Sequence, residues 1–219
     1  MVGSPLGLLL KRAWAGGRRR LLPADTDPAT LVYENPAVLD PRNLSITPIS
    51  QFGTMGLTQH RVNIAQWRLT TGGLVARPSS LSLERVKSLP AATRDVLLIC
   101  PGVFAYYARW RGVPLNTVLR QAGISPKATH VVVSGPAGGS QKKERFPLAQ
   151  GRADKLFLAY GVNGVTLPEK HGFPLRLVAE GEVGARWVKF VDRIEAVADN
   201  QTSSGAVDRN PSTRPAFLP

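Results

Sequence analysis

Cys100 is the single cysteine in 219 residues, and it stands where the apolar run Val96-Leu97-Leu98-Ile99-Cys100 meets Pro101-Gly102. Two readings of it are open. A lone cysteine at the end of an apolar strand is ordinarily a small buried hydrophobe. A thiol at a sharp strand exit can instead point into a cleft, where basic neighbours would lower its pKa toward the thiolate. A thiolate suits a soft or high-valent metal held mainly by some other ligand. A second constellation is His171-Gly172-Phe173-Pro174-Leu175-Arg176, followed by Gly184-Ala185-Arg186-Trp187-Val188-Lys189-Phe190. Period-two alternation sets Arg176 opposite Leu175 and Leu177, and Lys189 opposite Val188 and Phe190. Two such bases beside a histidine and a tryptophan could clamp a phosphate next to a flat heterocycle, arginine as a bidentate fork and lysine as a point charge. The plainer alternative is a pair of solvated strand faces.

Composition removes several other chemistries. One cysteine rules out internal disulfides, Cys-rich zinc sites, protein-held iron–sulfur clusters and two-thiol haem attachment. His60, His130 and His171 are scattered, so no His-x-x-x-His metal pair exists. The glycines before Ser140-Gln141-Lys142-Lys143 lack the Gly-Lys-Ser/Thr ending of a phosphate loop, and no Gly-x-Ser-x-Gly elbow occurs. No apolar run approaches the roughly 18 to 20 residues of a bilayer span. The net charge is +13, with 28 Lys+Arg against 15 Asp+Glu. Residues 1–24 carry five of those bases and no acid, and the polar end is balanced, which leaves +8 on residues 25–198. A positive body favours anionic ligands in its clefts. Base-reading and zinc-finger motifs are missing, so no nucleic acid is expected as partner. The Arg18–Arg20 run is followed by Pro23-Ala24-Asp25-Thr26-Asp27-Pro28 rather than an apolar stretch, so no export signal is legible.

The elements that must position these residues lie between a basic leader expected over 1–30 and a polar tail over 199–219. A single domain is expected over 31–198. Gln66–Thr70 alternates and stops at Gly72-Gly73, a strand and a turn. Ser82 caps a short helix that ends at Pro90, with Glu84 in its first turn. Val96–Cys100 reads as a buried strand. Pro114 opens a helix with Leu115, Val118, Leu119 and Ala122 on one face and Gly123 as its stop. His130–Val133, Leu156–Tyr160, Leu175–Ala179 and Trp187–Val197 complete the strands. Strands outnumber short helices, which predicts an α+β domain built on irregular mixed sheet rather than a doubly wound nucleotide fold.

Three stretches together resemble the molybdopterin-binding domain of the sulfite oxidase family, which includes the methionine sulfoxide reductase catalytic subunits. The first is Trp67-Arg68-Leu69 with Gly72-Gly73 and Leu81-Ser82-Leu83. The second is Cys100 with Trp110-Arg111-Gly112-Val113-Pro114-Leu115. The third runs from Leu158-Ala159-Tyr160-Gly161 through Leu167-Pro168 into His171–Arg176 and Trp187-Val188-Lys189. The resemblance spans about residues 62–197. It implies that Cys100 is the protein thiolate on molybdenum, and so both the metal ligand and the catalytic residue. It implies that His171, Arg176, Trp187, Val188 and Lys189 hold the pterin and its phosphate. The chemistry implied is a two-electron oxygen-atom transfer on a small sulfoxide, sulfite or similar oxo-substrate, carried by the molybdenum–molybdopterin cofactor.

An external electron carrier is expected with it, a haem protein or a quinol-linked membrane partner, serving a monomeric chain without a transmembrane segment. The compartment is divided: cytoplasmic for want of a legible export signal, periplasmic by family analogy. The chain departs from the family pattern at three places. Lys142 stands where a tyrosine is usual near the metal. Pro101-Gly102-Val103-Phe104-Ala105 replaces the basic residues that sulfite oxidases place after the cysteine. The upstream segment Gln51–Arg61 matches only roughly, so that His60 is a weak candidate. These departures favour a less polar mouth, with Val103, Phe104, Tyr106 and Tyr107 as its lining. They also motivate a second reading, a non-catalytic or cofactor-binding-only descendant. A third, a basic nucleic-acid-binding domain using its N-terminal arm, rests on charge alone.

Overall fold

The computed structural model describes residues 19–137 and 142–199. Its strands are β1 Arg20–Leu21, β2 Leu39–Asp40, β3 Leu69–Gly73, β4 Ser79–Leu81, β5 Ala92–Cys100, β6 Phe104–Pro114, β7 His130–Ser134, β8 Lys143–Pro147, β9 Leu156–Val162, β10 Val165–Thr166, β11 Arg176–Ala179 and β12 Arg193–Val197. Three short helices join them: α1 Leu83–Lys87, α2 Leu115–Ala122 and α3 Leu148–Arg152. One sheet has the order β10-β9-β6-β5, with β11 also on β9; the other has the order β4-β3-β12-β7-β8. Every pair in the first is antiparallel, while the second contains the parallel pair β3–β12. This is the mixed-sheet α+β architecture that the sequence predicts.

Local chemistry explains most of the elements. Ser82 accepts a hydrogen bond from the Arg85 amide and caps α1. Gly123, at φ 68°, ends α2 in the left-handed conformation that glycine adopts without cost. The β5–β6 hairpin is the spine of the molecule, registered from Ala92↔Gly112 to Cys100↔Phe104. Period two then gives it two different faces. Leu98, Tyr106 and Trp110 join the main core together with Cys100 and Phe104, while Leu97, Ile99, Ala105 and Tyr107 form a second cluster with Leu22, Leu31, Leu39 and Leu44.

The second cluster corrects the expected leader. Residues 19–30 are not a loose arm: Arg20 and Leu21 pair with Leu39 and Asp40, and Leu22 is 1% exposed. The N-terminal segment therefore backs the hairpin from the side opposite Cys100. Residues 1–18, and the expected tail beyond Asp199, lie outside the described residues. A second correction concerns Trp187–Val197, where only Arg193–Val197 is strand. Phe190 has φ 54°, a left-handed residue that no strand continues through, so Trp187–Asp192 is a loop. It still runs beside β11, with the Leu177 amide donating to Val188 O and the Val191 amide to Leu175 O, both at 2.7 Å.

Candidate active site

Cys100 ends β5 at the wall of a cavity of about 600 Å³. The β5–β6 register puts Leu98, Phe104 and Tyr106 on that wall with it. Aromatic packing stiffens the wall: Phe52 stacks on Tyr106 at 4.0 Å, and Tyr106 lies 5.9 Å from Phe104. Of the four residues expected at the mouth, Phe104 and Tyr106 line the cavity. Val103 is exposed beside it, and Tyr107 faces the opposite cluster because it is one residue out of phase with Tyr106.

The loop Gly53–Leu57 crosses this wall. Gly53 is required there, since a Cβ would stand 2.2 Å from the Phe104 ring. Met55 places its thioether sulfur 3.4 Å from the Cys100 sulfur while remaining 54% exposed. Lys189 holds the loop: its ammonium donates to Thr54 Oγ1, to the carbonyls of Met55 and Leu57 at 2.8 and 3.2 Å, and to Lys170 O at 2.9 Å. Neither Met55 nor this fastening is legible in the sequence, because residues far apart in the chain make it. Burial and the Arg176 charge lower the Lys189 pKa to about 8.

Arg176 opens β11 at 4% exposure. Its guanidinium lies 5.1 Å from the Trp110 ring and 5.3 Å from Trp187, a cation held between indoles. No carboxylate among the described residues lies within ion-pair distance of it, and its Nε has no hydrogen-bond partner. His171 is 1% exposed and neither ring nitrogen has a partner. Burial, then the Arg176 charge, lowers its pKa to about 4, so it is neutral at pH 7. Arg176, His171, Trp187 and Lys189 all line the cavity with Cys100. Val188 does not: its side chain is fully buried in the main core, leaving its backbone as the part beside the site. His60 packs its ring 5.0 Å from Phe190 and is not part of the cavity wall. The Cys100 thiol also corrects an expectation. Burial pushes it up, and no cation among the described residues lowers it.

These features test whether a metal–pterin fits. Among the described residues no group of three or more His, Cys, Asp or Glu could hold a metal. A metal at Cys100 must then take most of its ligands from an organic group, and its own charge would deprotonate a thiol that burial keeps neutral. The cavity volume is that of a site for a drug-sized ligand. A buried cation without counter-ion and an unpartnered buried histidine call for an anion with hydrogen-bonding edges. The residues fit an anionic heterocycle carrying its own metal. Residues 55–204 match the model of the oxidoreductase molybdopterin binding domain. The chain belongs to that family.

Relatives of this molybdopterin-binding domain agree. It is 33% identical over 143 residues to the protein-methionine-sulfoxide reductase catalytic subunit MsrP of Gluconobacter oxydans, covering 58% of this chain and 46% of that protein. It is 29% identical over 164 residues to nitrate reductase [NADH] 1 of Arabidopsis thaliana, covering 61% of this chain and 18% of that protein. The chain thus spans less than half the length of either relative. The sulfane dehydrogenase SoxCD of Paracoccus pantotrophus shares its fold, with a TM-score of 0.59 and 22% identity over 88% of this chain and 56% of that one. No helix among the described residues is long and apolar enough to cross a membrane.

Proposed function

We propose that this molybdopterin-binding domain catalyses two-electron oxygen-atom transfer on a small oxo-substrate, with Cys100 as the protein ligand to molybdenum. The observation that carries the proposal is the meeting, in one cavity, of the only cysteine with a neutral buried histidine and a buried arginine that has no carboxylate within ion-pair distance among the described residues. When bound, molybdopterin supplies the metal and its two-electron redox couple. Arg176 gains a phosphate as counter-ion, and its two indole neighbours fix the direction of its fork. His171, neutral, offers one nitrogen as donor and one as acceptor to a heterocycle edge. Lys189 holds the Gly53–Leu57 loop against the site, and Trp187 closes the flank beside Arg176.

A sulfoxide suits the mouth better than sulfite. Met55, Leu57 and Phe104 stand near Cys100, and the bases that would face an oxyanion are absent from Pro101–Ala105. In the reducing direction the balance is one sulfoxide, two protons and two electrons to one thioether and one water. The electrons come from an external carrier, a haem protein or a quinol-linked partner.

Protein made in a host with intact pterin synthesis should contain about one molybdenum per chain. Cys100→Ser should lose the metal while keeping its fold by circular dichroism. Full metal retention in that variant would overturn the ligand assignment. Lys142 at the usual tyrosine position favours one second reading, a domain that binds the cofactor without turnover; a metal-loaded protein that reduces neither sulfoxide nor oxidises sulfite would select it.

A further inference from the structure

Two lysines line the cavity, and they are held differently. Lys189 is fastened by backbone carbonyls and one hydroxyl, so its charge stays uncompensated. Lys142 pairs with the Glu144 carboxylate across one residue of β8. The pair is unequal in exposure: the Lys142 side chain is 45% exposed and that of Glu144 is 17% exposed. Glu144 also leans toward Arg186, 3.8 Å away, but Arg186 has firmer partners in Glu182 at 3.3 Å and the Arg145 carbonyl at 2.6 Å.

Lys142 lines the same cavity as the thiol. The turn Gly184–Arg186 runs between Cys100 and Glu144, since a Cβ on Gly184 would stand 3.5 Å from Cys100 Cα, and Arg186 at the other end of the turn faces Glu144. Cys100, Gly184 and Lys142 all line the same cavity. A free ammonium on this lining would draw oxyanions into the cavity. An ammonium paired with a carboxylate acts as a dipole whose field falls off faster with distance, while its remaining hydrogens can still donate to a substrate oxygen.

We propose that Glu144 holds Lys142 as a charge-neutral pair on the cavity wall and so biases the site toward uncharged oxo-substrates over oxyanions. The bias rests on the function proposed above, since it concerns the substrate of that same cavity. Lys142 is a specificity-determining side chain, and Glu144 is the positioning residue that sets its effective charge. No atom or electron is exchanged by the pair itself.

Two measurements test it. Sulfate is titrated calorimetrically into the purified wild-type chain, Glu144→Gln, Lys142→Met and the double variant at low salt. Glu144→Gln should bind sulfate about five- to tenfold more tightly, the scale of one partly screened charge. The double variant should return to the wild-type value, which separates Lys142 from Arg176. Lys142→Met alone should bind sulfate about five- to tenfold more weakly, because it leaves the Glu144 carboxylate uncompensated on the wall. An unchanged affinity in Glu144→Gln, or a double variant that keeps the tighter binding of Glu144→Gln, would overturn the proposal. Metal-loaded enzyme gives the second measurement: the ratio of kcat/KM for sulfite to kcat/KM for methyl p-tolyl sulfoxide should rise about tenfold in Glu144→Gln. A ratio that stays put with molybdenum present overturns the selectivity claim. Absence of molybdenum from wild-type protein strikes instead at the proposed function and leaves the sulfate titration as the test of the pair.

Discussion

The thioether sulfur of Met55 stands 3.4 Å from the thiol sulfur of Cys100. One belongs to the Gly53–Leu57 loop and the other to the end of β5, and the Lys189 ammonium keeps them together by gripping the Met55 and Leu57 carbonyls. Met55 therefore shields the thiol that the proposed function assigns to the metal. In cofactor-free protein, Met55→Ala should raise the rate of Cys100 alkylation by iodoacetamide about three- to tenfold, since thiol reactivity follows access. Metal-loaded protein should resist labelling in both forms. Equal labelling rates for wild type and variant would show that Met55 does not cover the sulfur.

Arg176 gives a prediction of opposite signs. Its guanidinium is buried between Trp110 and Trp187 with no carboxylate beside it among the described residues. Burying a charge without its counter-ion costs several kcal/mol. Arg176→Met should accordingly leave cofactor-free protein equally stable or stabilise it by about 1–2 kcal/mol in urea unfolding. The same variant should lose molybdopterin retention. A strongly destabilised Arg176→Met without cofactor would mean that the two indoles and the Tyr106 hydroxyl already compensate the charge.

Much of this site was legible and some was not, for physical reasons. Residue type and spacing single out Cys100, His171, Arg176, Trp187 and Lys189 without deciding between a site and plain packing. The family resemblance gives them their roles, and all five line one cavity. The capped helix α1 and the Gly123-ended α2 follow from local capping chemistry. The longest strand, β6, was hidden: exposed Arg109 and Arg111 interrupt its apolar pattern, and its register shifts between Arg111 and Gly112. Trp187–Asp192 looked like strand because its apolar spacing is right. A single left-handed residue, Phe190, breaks it. The second face of β5 was invisible because its partner is the N-terminal segment, and tertiary pairing rather than local periodicity orders that segment.

His171 sets a pH dependence. Its pKa is about 4 in the folded protein against 6.5 as a free side chain, so the folded pKa is depressed. Below pH 6.5 the unfolded chain takes up a proton that the folded chain refuses. Stability from this group is complete above pH 6.5 and is lost as pH falls toward 4, by up to roughly 3 kcal/mol. Cofactor-free wild type and His171→Gln should therefore converge in stability between pH 7 and pH 4.5 when followed by urea midpoint. Parallel curves would remove the histidine from the account.

Leu22 and Leu31 test the backing of the hairpin. Both are buried against Leu97, Ile99 and Tyr107, on the face turned away from Cys100. Leu22→Ala should cost about 2–4 kcal/mol, the usual range for a buried leucine. A loss below about 0.5 kcal/mol would return residues 19–30 to the status of a loose arm.

The second sheet has a consequence for the timing of assembly. Its central strand, β12, is the last one described, and it lies between β3 and β7, parallel to the former. During synthesis β3 emerges long before its neighbour, so the sheet cannot close until residues up to Val197 have left the ribosome. Arg176, Trp187 and Lys189 are likewise late arrivals. A pterin that meets the chain before Val197 has emerged finds the second sheet unjoined, so cofactor insertion follows the arrival of β12.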